Sequence, residues 1–314
     1  MGRIISVFII AALAIGIFYA VFERSDLAIY SPIPIYGENK KSIVNVWFPK
    51  RVRGVKATNL YLSAKAAILV DYVSADVLFA QEEKLKLPVA STAKIMTALV
   101  ALTHGKLSDT ISVSEKAAKV GENSMGLALG ERLTLEEALY GLMLVSGNDA
   151  AVAIAEGVAG SEEAFVKLMN EKVQELGLTQ TKFVNASGLE EDGQNQYSTA
   201  YDLAVIARYV WKNYPEFGQI TATAHKFIEA NEAHRAFDLY NDTNLLTTYP
   251  GVRGIKPGFT PEAGLCLVTY AENDGKKLLA VVLGSDDRRG EMKELLDFGF
   301  SQYGVRVSHP DLDL

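Results

Sequence analysis

Strand-like apolar runs stand early and late in this chain, and the sequence between them has helical spacing. Ala66-Ala67-Ile68-Leu69-Val70-Asp71 and the run at 77–80 are apolar stretches separated by a polar turn, which reads as a hairpin. The runs at 264–270 and 277–283 are joined by Asn273-Asp274-Gly275, a hairpin-turn sequence. Helices are predicted between them over 91–102, 134–144, 149–159, 161–176 and 199–211. The one at 134 opens on Thr134-Leu135-Glu136-Glu137, which fits a capping box. A last helix is predicted over 289–303. This order excludes alternating βαβ units. It predicts an α+β fold in which N- and C-terminal strands share one antiparallel sheet beside a central helical block.

Ahead of this lies Ile4 to Phe22, 19 residues without a charge. As a helix it spans roughly 28 Å, close to bilayer thickness. The run is longer than the core of a cleaved signal peptide, and its exit, Phe18-Tyr19-Ala20-Val21-Phe22, is bulky. It reads as one transmembrane helix, with a cleaved signal as the alternative. Arg3 ahead of it favours a cytoplasmic N-terminus. The expected location is therefore the cell membrane, single-pass, with the remainder on the extracytoplasmic side. The expected organisation is an anchor or signal at 1–24, a linker at 25–56, a catalytic domain at 57–305 and a tail at 306–314. The linker holds Pro32, Pro34 and Pro49, with Lys50, Arg51 and Arg53 as a solvated basic cluster.

An acidic balance, 38 Asp+Glu against 31 Lys+Arg, argues against a nucleic-acid partner. One cysteine, Cys266, allows no intrachain disulfide and no cysteine-built zinc site. His104, His225, His234 and His309 show no ligand-like spacing, so no metal is expected.

Three short motifs carry chemistry. Ser91-Thr92-Ala93-Lys94 places a hydroxyl and an amine on one helix face. Serine is a poor nucleophile until a neighbour takes its proton, and a lysine of depressed pKa can do so. Alone, the pattern is equally a helix N-cap beside a solvated lysine. Ser146-Gly147-Asn148 stands between two predicted helices and alone reads as a turn. Lys256-Pro257-Gly258-Phe259-Thr260 precedes the late strands and alone reads as a Pro-Gly surface turn.

In this order the three resemble the Ser-x-x-Lys, Ser-x-Asn and Lys-Thr-Gly set of penicillin-recognising serine enzymes. From about residue 57 to 303 the chain resembles the serine-type D-alanyl-D-alanine carboxypeptidases, the low-molecular-mass penicillin-binding proteins. The resemblance extends through Pro88 to Leu99, Ser124 to Leu127, Tyr140 to Ala151, Phe183 to Leu189, Ser198 to Ala204 and Pro261 to Gly264. It implies that Ser91 attacks the penultimate D-alanine carbonyl of a peptidoglycan stem peptide and that Lys94 takes its proton. Ser146 would relay a proton to the leaving amine, and Lys256 would hold that relay electrostatically. Asn148 would bind the substrate backbone. Gly258, Phe259 and Thr260 would complete the substrate strand, with the N–H groups of Ser91 and Phe259 as oxyanion hole. No cofactor is implied, and β-lactams would acylate Ser91.

Two departures stand out. The family's Lys-Thr-Gly is Lys-Pro-Gly, so Pro257 lacks the hydroxyl that helps bind the terminal carboxylate. That loss is worth ~1.5–3 kcal/mol. Thr260 is a doubtful substitute, and Arg235 and Arg253 are the candidate carboxylate-binding arginines. Weakened carboxypeptidase activity, an endopeptidase preference and a peptidoglycan-binding pseudoenzyme are the corresponding alternatives. A β-lactamase is the nearest rival, but no Glu-x-x-Leu-Asn loop is present. Members of the family often carry a following β-domain and a terminal amphipathic helix. With the chain ending at Leu314, the expectation is no such domain and a tether at the N-terminus.

Overall fold

The computed structural model describes residues 47–51, 60–190 and 196–310. Ten strands are described: β1 (Lys50–Arg51), β2 (Ala66–Asp71), β3 (Asp76–Gln81), β4 (Thr110–Ser112), β5 (Arg132–Thr134), β6 (His225–Ile228), β7 (Phe237–Tyr240), β8 (Val252–Thr260), β9 (Gly264–Asn273) and β10 (Lys276–Ser285). Six form one sheet in the order β1-β3-β2-β10-β9-β8. The expected closure of the two ends is present: β2 pairs antiparallel with β10, Ile68 opposite Val281. Only the β1–β3 pair of this sheet is parallel.

The reason β2 reads as a continuous apolar run is that both its faces are covered. Ile68 and Val70 join the core facing the helical block, while Ala67 and Leu69 join the core on the other face. Strands buried on both sides lose the alternation of half-exposed strands. The hairpin between β9 and β10 has the turn its sequence demands. Asp274 and Gly275 have φ of 46° and 71°, both left-handed, and Asn273 stands opposite Lys276.

The helices are α1 (Lys94–His104), α2 (Glu115–Lys119), α3 (Leu135–Leu144), α4 (Asn148–Ala159), α5 (Glu162–Glu175), α6 (Ala200–Asn213), α7 (Pro215–Thr221), α8 (Leu245–Thr248) and α9 (Arg288–Ser301). The capping box at Thr134 forms in full. Ser161 and Thr199 cap α5 and α6 through their hydroxyls. The helix expected over 91–102 begins differently: Ala90–Ala93 is a 3-10 turn, and the α-helix starts at Lys94. The β4–β5 and β6–β7 ribbons are too short to have shown in the sequence pattern. α9 lies on the outer sheet face with Met292, Leu295, Leu296 and Phe300 in the second core.

Within the stretch read as linker, residues 47–51 lie on this domain. Tyr201 Oη donates to Pro49 O at 3.1 Å, and the Arg208 guanidinium stacks over the Trp47 ring. No helix among the described residues is long and apolar enough to cross a membrane. The apolar run at 4–22 lies outside the described residues.

Candidate active site

β8 is an edge strand, and the 3-10 turn carrying Ser91 lies against it. The approach is close: a Cβ on Gly258 would fall 3.0 Å from Ser91 N. Behind the turn, Gly188 has φ 87°, and a Cβ there would fall 2.1 Å from Ala90 O. Ala90 itself is left-handed at φ 46°. Strained backbone on the residue before Ser91 is held by packing from both sides.

Lys94 is fully buried. Its Nζ lies 2.9 Å from Ser91 Oγ, 2.7 Å from Asn148 Oδ1 and 2.5 Å from Ser187 O. Burial holds the amine well below the usual lysine range, and the neighbouring Lys256 charge pushes it further down. A neutral amine has two N–H groups and one lone pair. The carbonyl of Ser187 can only accept. The Asn148 amide is oriented the same way, because its Nδ2 donates to Gly121 O at 3.0 Å. Both N–H groups are thereby used, and the lone pair is left for the Ser91 hydroxyl. This is the geometry of a general base.

Ser146 occupies the α3–α4 turn at φ 60°. Its Oγ is buried and has no hydrogen-bond partner among the described residues. The turn is held rigidly. Asn148 N donates to Asn123 O at 2.8 Å. The buried Asp149 carboxylate accepts from Ser124 Oγ and from the amides of Met125, Gly126 and Leu127.

Lys256 is fully buried on β8, its Nζ 3.3 Å from the nearer Asp242 oxygen. Burial lowers its pKa, and Asp242 opposes that shift. Asp242 is fixed in turn by its backbone N–H, which donates to Leu144 O.

A cavity of about 180 Å³ brings together Ser91, Ser146, Asn148, Pro257, Gly258 and Phe259, with Glu122, Asn123, Asp242 and Arg288. Lys94 and Lys256 lie just beneath its wall. Thr260 does not line it; its hydroxyl donates to Glu190. Neither expected arginine is there. Arg235 pairs with Glu131, and Arg253 is exposed elsewhere on β8. Arg288 stands in their place, half-buried, with Nη1 donating to Gly258 O at 2.7 Å. It sits at the start of α9, 30 residues from Gly258, and no motif marks it. Asp242 and the Ser187 carbonyl were equally silent in the sequence. Among the described residues, no three His, Cys, Asp or Glu side chains group as a metal site.

A serine against a buried lysine, with a second serine, an asparagine and an edge-strand lysine around one cavity, defines a class: the penicillin-recognising DD-peptidase fold. The chain belongs to the peptidase S11 family, D-alanyl-D-alanine carboxypeptidase, whose family model matches residues 53–287. It is 41% identical over 265 residues to D-alanyl-D-alanine carboxypeptidase DacF of Bacillus subtilis, covering 82% of this chain and 66% of that one. The chain thus spans just under two thirds of that relative's length. D-alanyl-D-alanine carboxypeptidase DacB2 of Mycobacterium tuberculosis is 34% identical over 244 residues, covering 76% of this chain and 82% of that one. Among solved structures, a D-alanyl-D-alanine carboxypeptidase from Mycobacterium tuberculosis superposes with TM-score 0.74 at 32% identity, covering 80% of this chain and 96% of that one. The Streptomyces K15 DD-transpeptidase gives 0.73 at 27% identity, covering 78% and 100%.

Proposed function

We propose that this chain is a serine D-alanyl-D-alanine carboxypeptidase that trims peptidoglycan stem peptides and is acylated by penicillins. The observation that carries this reading is the lysine amine whose two N–H groups are taken by Asn148 and Ser187 and whose lone pair is left for Ser91.

Ser91 Oγ attacks the carbonyl of the penultimate D-alanine as its proton passes to Lys94 Nζ. The oxyanion is held by the N–H groups of Ser91 and Phe259. Strand geometry supports the second donor. Pro257 has no N–H to give β9, so its position suits the phase of the antiparallel ladder that faces outward. Phe259, two residues on, shares that phase and directs its N–H into the cleft. The C–N bond then breaks. The leaving amine takes a proton through Ser146, whose hydroxyl, unpartnered among the described residues, lines the cavity with Ser91. D-alanine departs, and water cleaves the Ser91 ester by the reverse proton path.

Arg288 takes the terminal carboxylate. Its burial lowers the pKa, yet a guanidinium stays charged, and partial desolvation strengthens its pull on a carboxylate. This cation supports activity despite Pro257 and weighs against the pseudoenzyme reading. The apolar run at 4–22 serves as membrane anchor, which holds the domain at the outer face of the membrane beside its wall substrate.

The test is D-alanine release by the full chain from a stem pentapeptide, alongside fluorescent-penicillin labelling. Ser91→Ala should abolish both. Persistent labelling of that variant would remove Ser91 from its role, and labelling without D-alanine release would favour a pseudoenzyme.

A further inference from the structure

The Ser187 carbonyl that takes one N–H of Lys94 belongs to a segment, 183–188, that runs outside any described helix or strand. Its peptide groups are fixed singly instead. Gly188 N donates to Asn185 Oδ1 at 2.8 Å, which holds the peptide plane that carries Ser187 O. Ala186 O accepts from Thr97 Oγ1 at 2.6 Å, and Ala186 N donates to Glu162 Oε1 at 3.0 Å. Asn170 clamps Phe183 through both its N–H and its carbonyl.

These holds differ in origin. Thr97 stands on α1 and moves with Lys94, and Asn185 belongs to the segment itself. Asn170 and Glu162 grip it from α5. Asn170 does so four residues before Ser187, whereas Glu162 does so at the residue next to it.

Glu162 is the first residue of α5, and Glu163 follows it in the same turn. An acidic residue there ordinarily complements the helix dipole. Exposed Glu163 fits that part. The Glu162 side chain is only 11% exposed, and its other oxygen lies 2.6 Å from Lys116 Nζ, so an ion pair to α2 aims the carboxylate. It faces a second cavity, of about 450 Å³, which among the described residues shares no lining residue with the cavity at Ser91. Glu162 therefore acts on the site from behind, without touching a substrate bound at Ser91.

We propose that Glu162 is a positioning residue for the general base: through the Ala186 amide it holds the Ser187 carbonyl against Lys94, which keeps the Lys94 lone pair turned to Ser91. This rests on the carboxypeptidase reading and adds a residue to its machinery. When the carbonyl swings away, one N–H of the amine is unspent. The amine then turns to donate that N–H to Ser91 Oγ, and proton transfer from the hydroxyl is lost.

The test is the rate of fluorescent-penicillin acylation of the full chain against pH. Glu162→Ala should lower the plateau roughly ten- to hundredfold. Glu162→Gln keeps an acceptor for Ala186 and should stay within severalfold of the wild type. Glu163→Ala removes a charge from the same helix turn and should change nothing. The acid limb separates this role from general loosening. A carbonyl beside Lys94 favours its ammonium form, so losing it in Glu162→Ala should move the limb to lower pH; loosening that admits water relieves the burial and moves it higher. The charged groups acting on Lys94, which are Lys256, Asp242, Glu122 and Asp149, are unchanged in these variants. An undiminished rate in Glu162→Ala, equal losses in the Ala and Gln variants, an equal loss in Glu163→Ala, or a limb that stays or moves higher overturns the proposal. If Glu162→Ala fails to fold, Glu162→Asp decides: it keeps the charge but withdraws the acceptor, and it should show the same loss. If penicillin does not acylate the wild type, the carboxypeptidase reading fails separately. The Lys94 pKa, read by NMR at its Cε, then still tests the positioning role, which requires a lower value in Glu162→Ala than in the wild type and Glu162→Gln.

Discussion

Replacing Arg288 by glutamine removes the one cation that lines the cavity among the described residues and keeps a donor for Gly258 O. A hydrogen bond between a charged donor and a carboxylate is worth ~1.5–3 kcal/mol, and Pro257 offers no hydroxyl to share that load. The expected loss in kcat/KM is therefore about ten- to hundredfold for a peptide with a free terminal carboxylate. Part of any loss could come from a shift of β8, because Arg288 also holds Gly258 O. A second substrate separates the two effects. The same peptide with its terminal carboxylate converted to an amide meets the same strand but offers no charge. Arg288→Gln should slow the acid by about ten- to hundredfold more than the amide. The assay is release of D-alanine or D-alanine amide under kcat/KM conditions. An equal loss on both substrates refutes carboxylate binding by Arg288, and so does no loss on the acid.

Further outcomes follow from the same geometry. Pro257→Thr should raise kcat/KM for the peptide acid, by up to about tenfold, by restoring a hydroxyl beside Arg288; an unchanged or lower rate would mean that the site is adapted to proline. Gly258→Ala should slow penicillin acylation about tenfold or more, because the new methyl group lies 3.0 Å from Ser91 N and must displace the strand or the nucleophile; stopped-flow acylation reads this directly. Acylation should fall as pH drops through the depressed pKa of Lys94, since protonation removes the lone pair. Neutralising Lys256 (Lys256→Gln) removes a charge that disfavours protonation of Lys94, so the acid limb should move to higher pH; a limb that moves to lower pH would contradict the coupling.

Local physics was legible in the chain. The Asn273-Asp274-Gly275 hairpin and the Thr134 capping box depend on residues within a few positions of one another, and they stand as read. The β2–β3 hairpin and the order of the longer strands and helices were equally readable, because each apolar run encodes its own period. Ser91, Lys94, Ser146, Asn148 and Lys256 could be named because short motifs hold them. The structure gathers Ser91, Ser146 and Asn148 on one cavity with the two amines behind its wall.

The tertiary structure alone decided what surrounds those motifs. Lys94 has the surroundings of a base because a backbone carbonyl at Ser187 and the side chain of Asn148 consume its N–H groups, and a backbone carbonyl has no sequence signature. Asp242 and Arg288 are ordinary residues until β8 brings Lys256 beside one and Gly258 beside the other. Thr260, a neighbour in the chain, turns its hydroxyl to Glu190, away from the cavity. Periodicity and caps arise from contacts a few residues long. The electrostatics of a cleft arise from groups far apart in sequence, and only the packing of strand against helix block sets their distances.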